Sequence, residues 1–212
     1  MNICISLSGV YEEEGWSERI SGLDESVLLD MHGLEGTNSY CSEEAEEALT
    51  EALAPLPLRS ICWIDTGDYH YLSYIRMKQA DRPFALVLLD NHPDDQEAAF
   101  GMLSCGSWVA VARDRNPLLK PLEPGIPVFL SIDTDVLSTD FASTDWNQGS
   151  MTLDELESQV RALAAEHEII GIDICGGLTR AKGATDSDLK KNIRLRERLL
   201  SLSSGILQRG RT

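Results

Sequence analysis

The sequence has 212 residues, with 35 acidic against 18 basic side chains, a formal charge of −17 and a pI near 4.5. Such an excess of negative charge argues against a nucleic-acid backbone or an anionic membrane surface as partner, and leaves a small molecule, a cation or a protein. No apolar run is long enough to span a membrane, and the first fifteen residues lack a basic start followed by an apolar core, so the chain reads as cytoplasmic. The length suits one domain over residues 1–212 with a sizeable core. Cys4, Cys41, Cys62, Cys105 and Cys175 are widely spaced and mostly lie within or beside apolar runs, as expected of reduced thiols rather than a disulfide framework.

Taken in chain order, the first predicted strands are NICISLS at residues 2–8 and SVLLDMH at 26–32. SEEAEEALTEAL, 42–53, reads as a helix with Ser42 as its cap and glutamates in its first turn. SICWIDTG (60–67), FALVLLDNH (84–92) and WVAVAR (108–113) continue the apolar strand-like series. LKPLEPGIP (119–127) is a loop leading into PVFLSIDTD. Thr152 and Glu155 form a capping box at the head of a helix over 152–168, and EIIGIDICG follows as the last strand. ATDSDLKKNIRLRERLLSLSSGIL is a closing helix, acidic at its start and basic further along, in keeping with the helix dipole. Nearly continuous apolar strands are buried on both faces, so the expected fold is a three-layer α/β/α arrangement around a mostly parallel sheet.

Three of these strands end in ligand-type residues. Asp90, His92 and Asp94 are spaced by two, Asp133 and Asp135 likewise, and the third strand runs into Gly67, Asp68 and His70. Side chains two apart on an extended chain share a face, and Pro93 disfavours helical geometry at His92. In a parallel sheet the three strand ends lie on one edge, where ligands bind in α/β folds. Four carboxylates sharing that crevice cannot all ionise unless cations neutralise them. Two divalent ions balance four aspartates, and a mixed Asp/His shell suits Mn²⁺ or a related first-row ion. Trp108 and Trp146 are candidates for the walls of the crevice, with Asn147 and Gln148 beside the second.

These motifs resemble those of the arginase, agmatinase and histone-deacetylase superfamily, the ureohydrolase fold, of which the chain looks like a short, divergent member. DNHPD at Asp90–Asp94 is similar to the family's DAHxD, SIDTDVLS at Ser131–Ser138 to SFDxDxxDP, and TGDYHY to GGDH with His70 displaced by one residue. Ser138 stands where the family carries a further Asp. The resemblance covers residues 60–176 and implies an arginase-like fold and a binuclear Mn²⁺ hydrolase of C–N bonds. It implies that His70, Asp90, Asp94 and Asp133 serve one ion and Asp90, His92, Asp133 and Asp135 the other, with Asp94 relaying the proton. Cys105 falls where agmatinase-like enzymes have a proton-transferring His, and Gly176 where a guanidinium-holding Glu stands, with Asp173 aligned to the Asp of that last motif. Cys105, Asp173 and Trp146 are accordingly the expected substrate-side residues, and arginine and agmatine are expected to be poor substrates. Two readings from other classes stand beside this one. The first is a metal-binding or regulatory module without turnover, on the strength of Cys105 and Gly176. The second is a deacetylase, which the lack of a His-His dipeptide disfavours. Assembly with further copies of the same chain is left open.

Overall fold

A computed structural model describes residues 1–209. The chain runs β1 (Asn2–Ser6), α1 (Val10–Glu14), α2 (Trp16–Ser21), β2 (Ser26–Asp30), β3 (Tyr40–Cys41), α3 (Glu43–Leu53) and β4 (Ile61–Trp63). It continues through α4 (Leu72–Met77), β5 (Ala85–Leu89), β6 (Leu103–Ser104), α5 (Trp108–Arg115), β7 (Val128–Asp133), α6 (Leu153–Glu166), β8 (Ile169–Cys175) and α7 (Asp186–Arg209). Six strands form one sheet in the order β2-β1-β4-β8-β7-β5, with every neighbouring pair parallel. β3 and β6 form a separate antiparallel ribbon.

Strand alternation divides the core between the two faces of the sheet. Ile3, Ile5, Cys62 and Phe129 point to one side, where they pack with Leu49 and Leu53 of α3, Leu72 and Ile75 of α4 and Trp108 and Val109 of α5. Cys4, Ile61, Trp63, Leu130, Ile132, Ile172 and Ile174 point to the other, against Trp16 and Ile20 of α2, Leu156 and Val160 of α6 and Leu195 and Leu199 of α7. β7 and β8 are buried along their whole length, which is why their sequences read as continuous apolar runs.

The helices begin where their caps place them. The Ser42 hydroxyl accepts from the Ala45 N–H, and Thr152 and Glu155 form the reciprocal capping box that the sequence signals. One predicted strand is a helix instead: WVAVAR opens α5, in which Trp108, Val109, Val111 and Ala112 are all buried. A short apolar run buried all round carries no period that separates strand from helix, and here the helix wins because it packs against α4 and the β6 ribbon. Among the described residues no helix is long and apolar enough to cross a membrane.

Candidate metal centre

β4, β5, β7 and β8 all present their C-terminal ends at the same edge, and the acidic groups gather there. Gly67–Tyr69 forms a single 3-10 turn after β4 and delivers His70, which is 1 % exposed, into the crevice. His70 Nδ1 lies 3.1 Å from Asp90 Oδ2, 3.1 Å from Asp94 Oδ2 and 3.5 Å from Asp133 Oδ2. His92 Nδ1 lies 2.8 Å from Asp135 Oδ2 and 3.6 Å from Asp90 Oδ1. The donor atoms of His70, Asp90 and Asp94 lie within 4.8 Å of one another, as do those of Asp90, His92 and Asp135. Asp90 belongs to both groups, one carboxylate oxygen turned to each histidine.

The six predicted ligands converge, but by turns rather than by strands that stay extended. Asp94 has φ +48, a left-handed conformation uncommon outside glycine, and this bend brings its carboxylate to the His70 side while His92 faces Asp135. Asp135 lies in the 3-10 turn Thr134–Val136, which Asp133 caps: its Oδ1 accepts from the Asp135 N–H at 2.9 Å. The Asn91 N–H donates to Asp135 Oδ1 and the Trp108 indole N–H to Asp94 Oδ2, so each carboxylate is oriented by a fixed donor.

The electrostatics of the cluster follow from crowding in a buried place. Burial, reinforced by the charge of Asp135, pushes the Asp133 carboxyl well above the usual range, and burial with the charge of Asp90 pushes Asp135 up to about 7. Burial opposes a charge on His70, yet its hydrogen bonds to Asp90 and Asp94 outweigh that and hold its pKa well above the ordinary imidazole value. Asp90 goes the other way: burial raises it, and His70 more than compensates. A set of carboxylates that repel one another in this way, with two imidazoles among them, fits hard or borderline divalent ions. Cys175 also lies within reach of His70 and Asp133, a neighbour that the sequence reading passed over. Strand alternation could have found it, since Asp173 and Cys175 share a face of β8. Its thiol donates to the Thr66 carbonyl at 3.2 Å, and burial raises it well above the usual thiol range.

A cavity of about 170 Å³ opens over these groups, rimmed by Tyr40, Gln96, Cys105 and Trp146. Trp146 packs against Gly67, where an added Cβ would lie 2.5 Å from the indole, and its ring centre is 5.7 Å from that of His92. The Trp146 N–H donates to Asp68, which also accepts from Lys182, and Lys182 reaches Asp145 as well. Cys105 lines the cavity, but burial and the charges of Asp94 and Asp68 push its thiol up to about 12, so it is a neutral group there. Trp108 is not a wall: it is fully buried beneath the site, its ring centre 4.9 Å from that of His70.

Asp173 does not face the cavity. It is 0 % exposed and pairs with Arg76, Oδ1 accepting from Nε at 2.8 Å. The reason is register: it stands beside Ser131 on β7, below the strand end, with its side chain on the α4 face. Gly176, just after β8, has φ +106, and a Cβ there would lie 2.1 Å from Thr134 Oγ1 and 2.9 Å from Asp133 Oδ1, so its left-handed backbone and these side chains leave no room for any other residue.

No family model matches the sequence. An uncharacterised protein of Thermotoga maritima is 28% identical over 207 residues, spanning 81% of this chain and 78% of that one. Among solved structures, a hypothetical agmatinase from Burkholderia thailandensis superposes with a TM-score of 0.68 at 15% identity, covering 98% of this chain and 85% of that one. An arginase from Bacillus subtilis superposes with a TM-score of 0.61 at 13% identity, over 94% and 97% of the two chains. The parallel sheet and its helices therefore have the arginase-like fold.

Proposed function

We propose that this chain is a short, divergent member of the ureohydrolase superfamily that hydrolyses a C–N bond, of amide, amidine or guanidine type, in a small molecule. The observation that carries the reading is Asp90, whose two carboxylate oxygens face different histidines, 3.1 Å from His70 and 3.6 Å from His92. A carboxylate so placed suits a bridge between two ions. His70, Asp90, Asp94 and Asp133 would hold one and Asp90, His92, Asp133 and Asp135 the other, with Mn²⁺ the favoured metal on its oxygen-rich donor set. Such a pair supplies Lewis acidity and makes a water acidic enough to lose a proton near neutral pH.

The chain's own residues account for the rest. Asp94, steadied by the Trp108 indole at 2.7 Å, is the carboxylate that takes up a proton and returns it to the leaving nitrogen. Trp146 and Tyr40 flank the substrate and restrict its shape. Cys105, a neutral thiol, gives no imidazole-like proton transfer, and Gly176 gives no carboxylate to grip a guanidinium. Arginine and agmatine are therefore expected to release urea at a rate near background, well under the typical enzyme turnover of about 10 s⁻¹.

The same two positions favour a second reading, a metal-binding module of this fold without turnover. Elemental analysis of protein purified without chelator, combined with a hydrolysis screen of guanidino, amidino and N-acyl compounds, separates the two. Two ions per chain with turnover on an amidine or amide supports the hydrolase. Two ions with no turnover across the screen favours the module. A folded protein that takes up no ion in excess Mn²⁺ removes both. Asp90→Ala is expected to lose metal and activity together.

A further inference from the structure

Behind His70 runs a chain of buried polar groups that the site itself does not use. His70 Nε2 is 2.8 Å from Ser131 Oγ, Ser131 Oγ is 2.9 Å from Ser73 Oγ, and Ser73 Oγ is 2.9 Å from Asp173 Oδ2. Asp173 Oδ1 accepts from Arg76 Nε at 2.8 Å, and Arg76 Nη2 donates to the Leu58 carbonyl at 3.0 Å and to Ser60 Oγ at 3.1 Å. All of these side chains are buried, Asp173, Arg76, Ser73 and Ser131 completely. The elements explain the assembly: Ser131 and Asp173 stand side by side on β7 and β8, while Ser73 and Arg76 are three apart on one face of α4, the helix that follows the His70 turn.

The direction of every hydrogen bond in this chain is fixed from its far end. A guanidinium without exposure needs a carboxylate as partner, so Asp173 is ionised and can only accept. Ser73 must then spend its one hydroxyl proton on Asp173, which leaves it only acceptor capacity toward Ser131. Ser131 in turn spends its proton on Ser73 and accepts from His70. A ring proton is thereby held at Nε2, where it is donated to Ser131, and Nδ1 is the nitrogen that faces the carboxylates of Asp90 and Asp94 at 3.1 Å.

We propose that Asp173, acting through Ser73 and Ser131, is a positioning residue that sets the tautomer and ring orientation of His70, so that Nδ1 is the metal-facing atom. Arg76 anchors the relay by keeping Asp173 charged in a place closed to water. This gives the Asp of the last strand a role in metal binding rather than in substrate contact, and it rests on the metal reading above. Loss of an outer partner of a metal-ligating histidine typically weakens metal binding about 10–100-fold.

The test is calorimetric titration of Mn²⁺ into the wild type and Ser131→Ala, with thermal melts as a control for folding. Ser131→Ala is expected to melt cooperatively and to bind Mn²⁺ about 10–100-fold more weakly. Binding within twofold of the wild type overturns the relay while leaving the metal site standing. A wild type that takes up no Mn²⁺ overturns the metal reading and the relay with it. Should Ser131→Ala not fold, ¹⁵N spectra of histidine-labelled wild type loaded with diamagnetic Zn²⁺ decide the matter. A proton on His70 Nε2 supports the relay, and a proton on Nδ1 overturns it.

Discussion

At the scale of single residues, the aspartates and histidines of the strand ends are legible in the sequence as ligand types, but their partners are not. The two-residue spacing of Asp90, His92 and Asp94 suggests one shared face, whereas the left-handed bend at Asp94 sends Asp94 to His70 and leaves His92 with Asp135. Cys105 is a comparable case. Its place at the cavity rim invites a nucleophile, but burial beside Asp94 and Asp68 keeps the thiol protonated, with a pKa of about 12. At about pH 8 the thiolate fraction is then roughly a thousandfold below that of an ordinary cysteine. Iodoacetamide labelling followed by peptide mass analysis is expected to find Cys105 slower than free glutathione by at least a hundredfold. Labelling at the rate of glutathione would show a thiolate that this geometry does not support.

At the scale of elements, caps and ion pairs hold the pieces that carry the site. α7 begins with a reciprocal pair: Thr185 N–H and Oγ donate to Asp188, and the Asp188 N–H donates back to Thr185 Oγ. Hydrogen bonds from Thr185 and Ser143 lower the Asp188 carboxyl to about 2. A depressed carboxyl stabilises the fold above its unfolded pKa, and that stabilisation is lost as pH falls through the folded value. Asp188→Asn is accordingly expected to destabilise the protein at neutral pH, with the difference from wild type shrinking below about pH 4. Urea denaturation across that range checks it. Farther along α7, Arg196 forms a buried ion pair with Glu14 of α1 and donates to the Gly176 carbonyl at 2.8 Å, so one side chain ties the first helix, the last helix and the end of β8. Arg196→Met leaves the buried Glu14 without its guanidinium partner, and is expected to cost about 3–5 kcal/mol by denaturant titration. α5 teaches the opposite lesson, since nothing local in WVAVAR selects helix over strand and its packing partners decide.

At the scale of the whole molecule, the sheet order places β4, β5, β7 and β8 so that four strand ends meet at one edge. A cluster of mutually repelling carboxylates there works against the folded state, because Asp133 and Asp135 are forced above their ordinary range. Ions that bind the folded chain and not the unfolded one offset that repulsion. At a free Mn²⁺ concentration a hundred times the dissociation constant, the gain is about 2.7 kcal/mol for each site filled. Thermal melts are expected to show a higher midpoint with Mn²⁺ than with EDTA, and in Asp90→Ala that difference should vanish. Equal midpoints for the wild type under the two conditions would contradict the metal centre.

The fold class is legible in the sequence, and so are the residue types that gather at the sheet edge. Continuous apolar runs alternating with capped amphipathic segments admit few arrangements other than a buried parallel sheet between helices, and aspartates with histidines at the ends of such runs have only one edge to occupy. Which atoms face which depends on contacts made across the fold. Asp173 is expected on the substrate side from its alignment with the Asp of the family's last motif, yet alternation and register turn it under the site toward Arg76. Ser131 and Ser73, ordinary in sequence, become links to His70 because β7 and α4 stack there. The physical reason is that local patterns fix only the direction of a side chain relative to its own element, whereas the partner it meets depends on strands and helices joined across the fold.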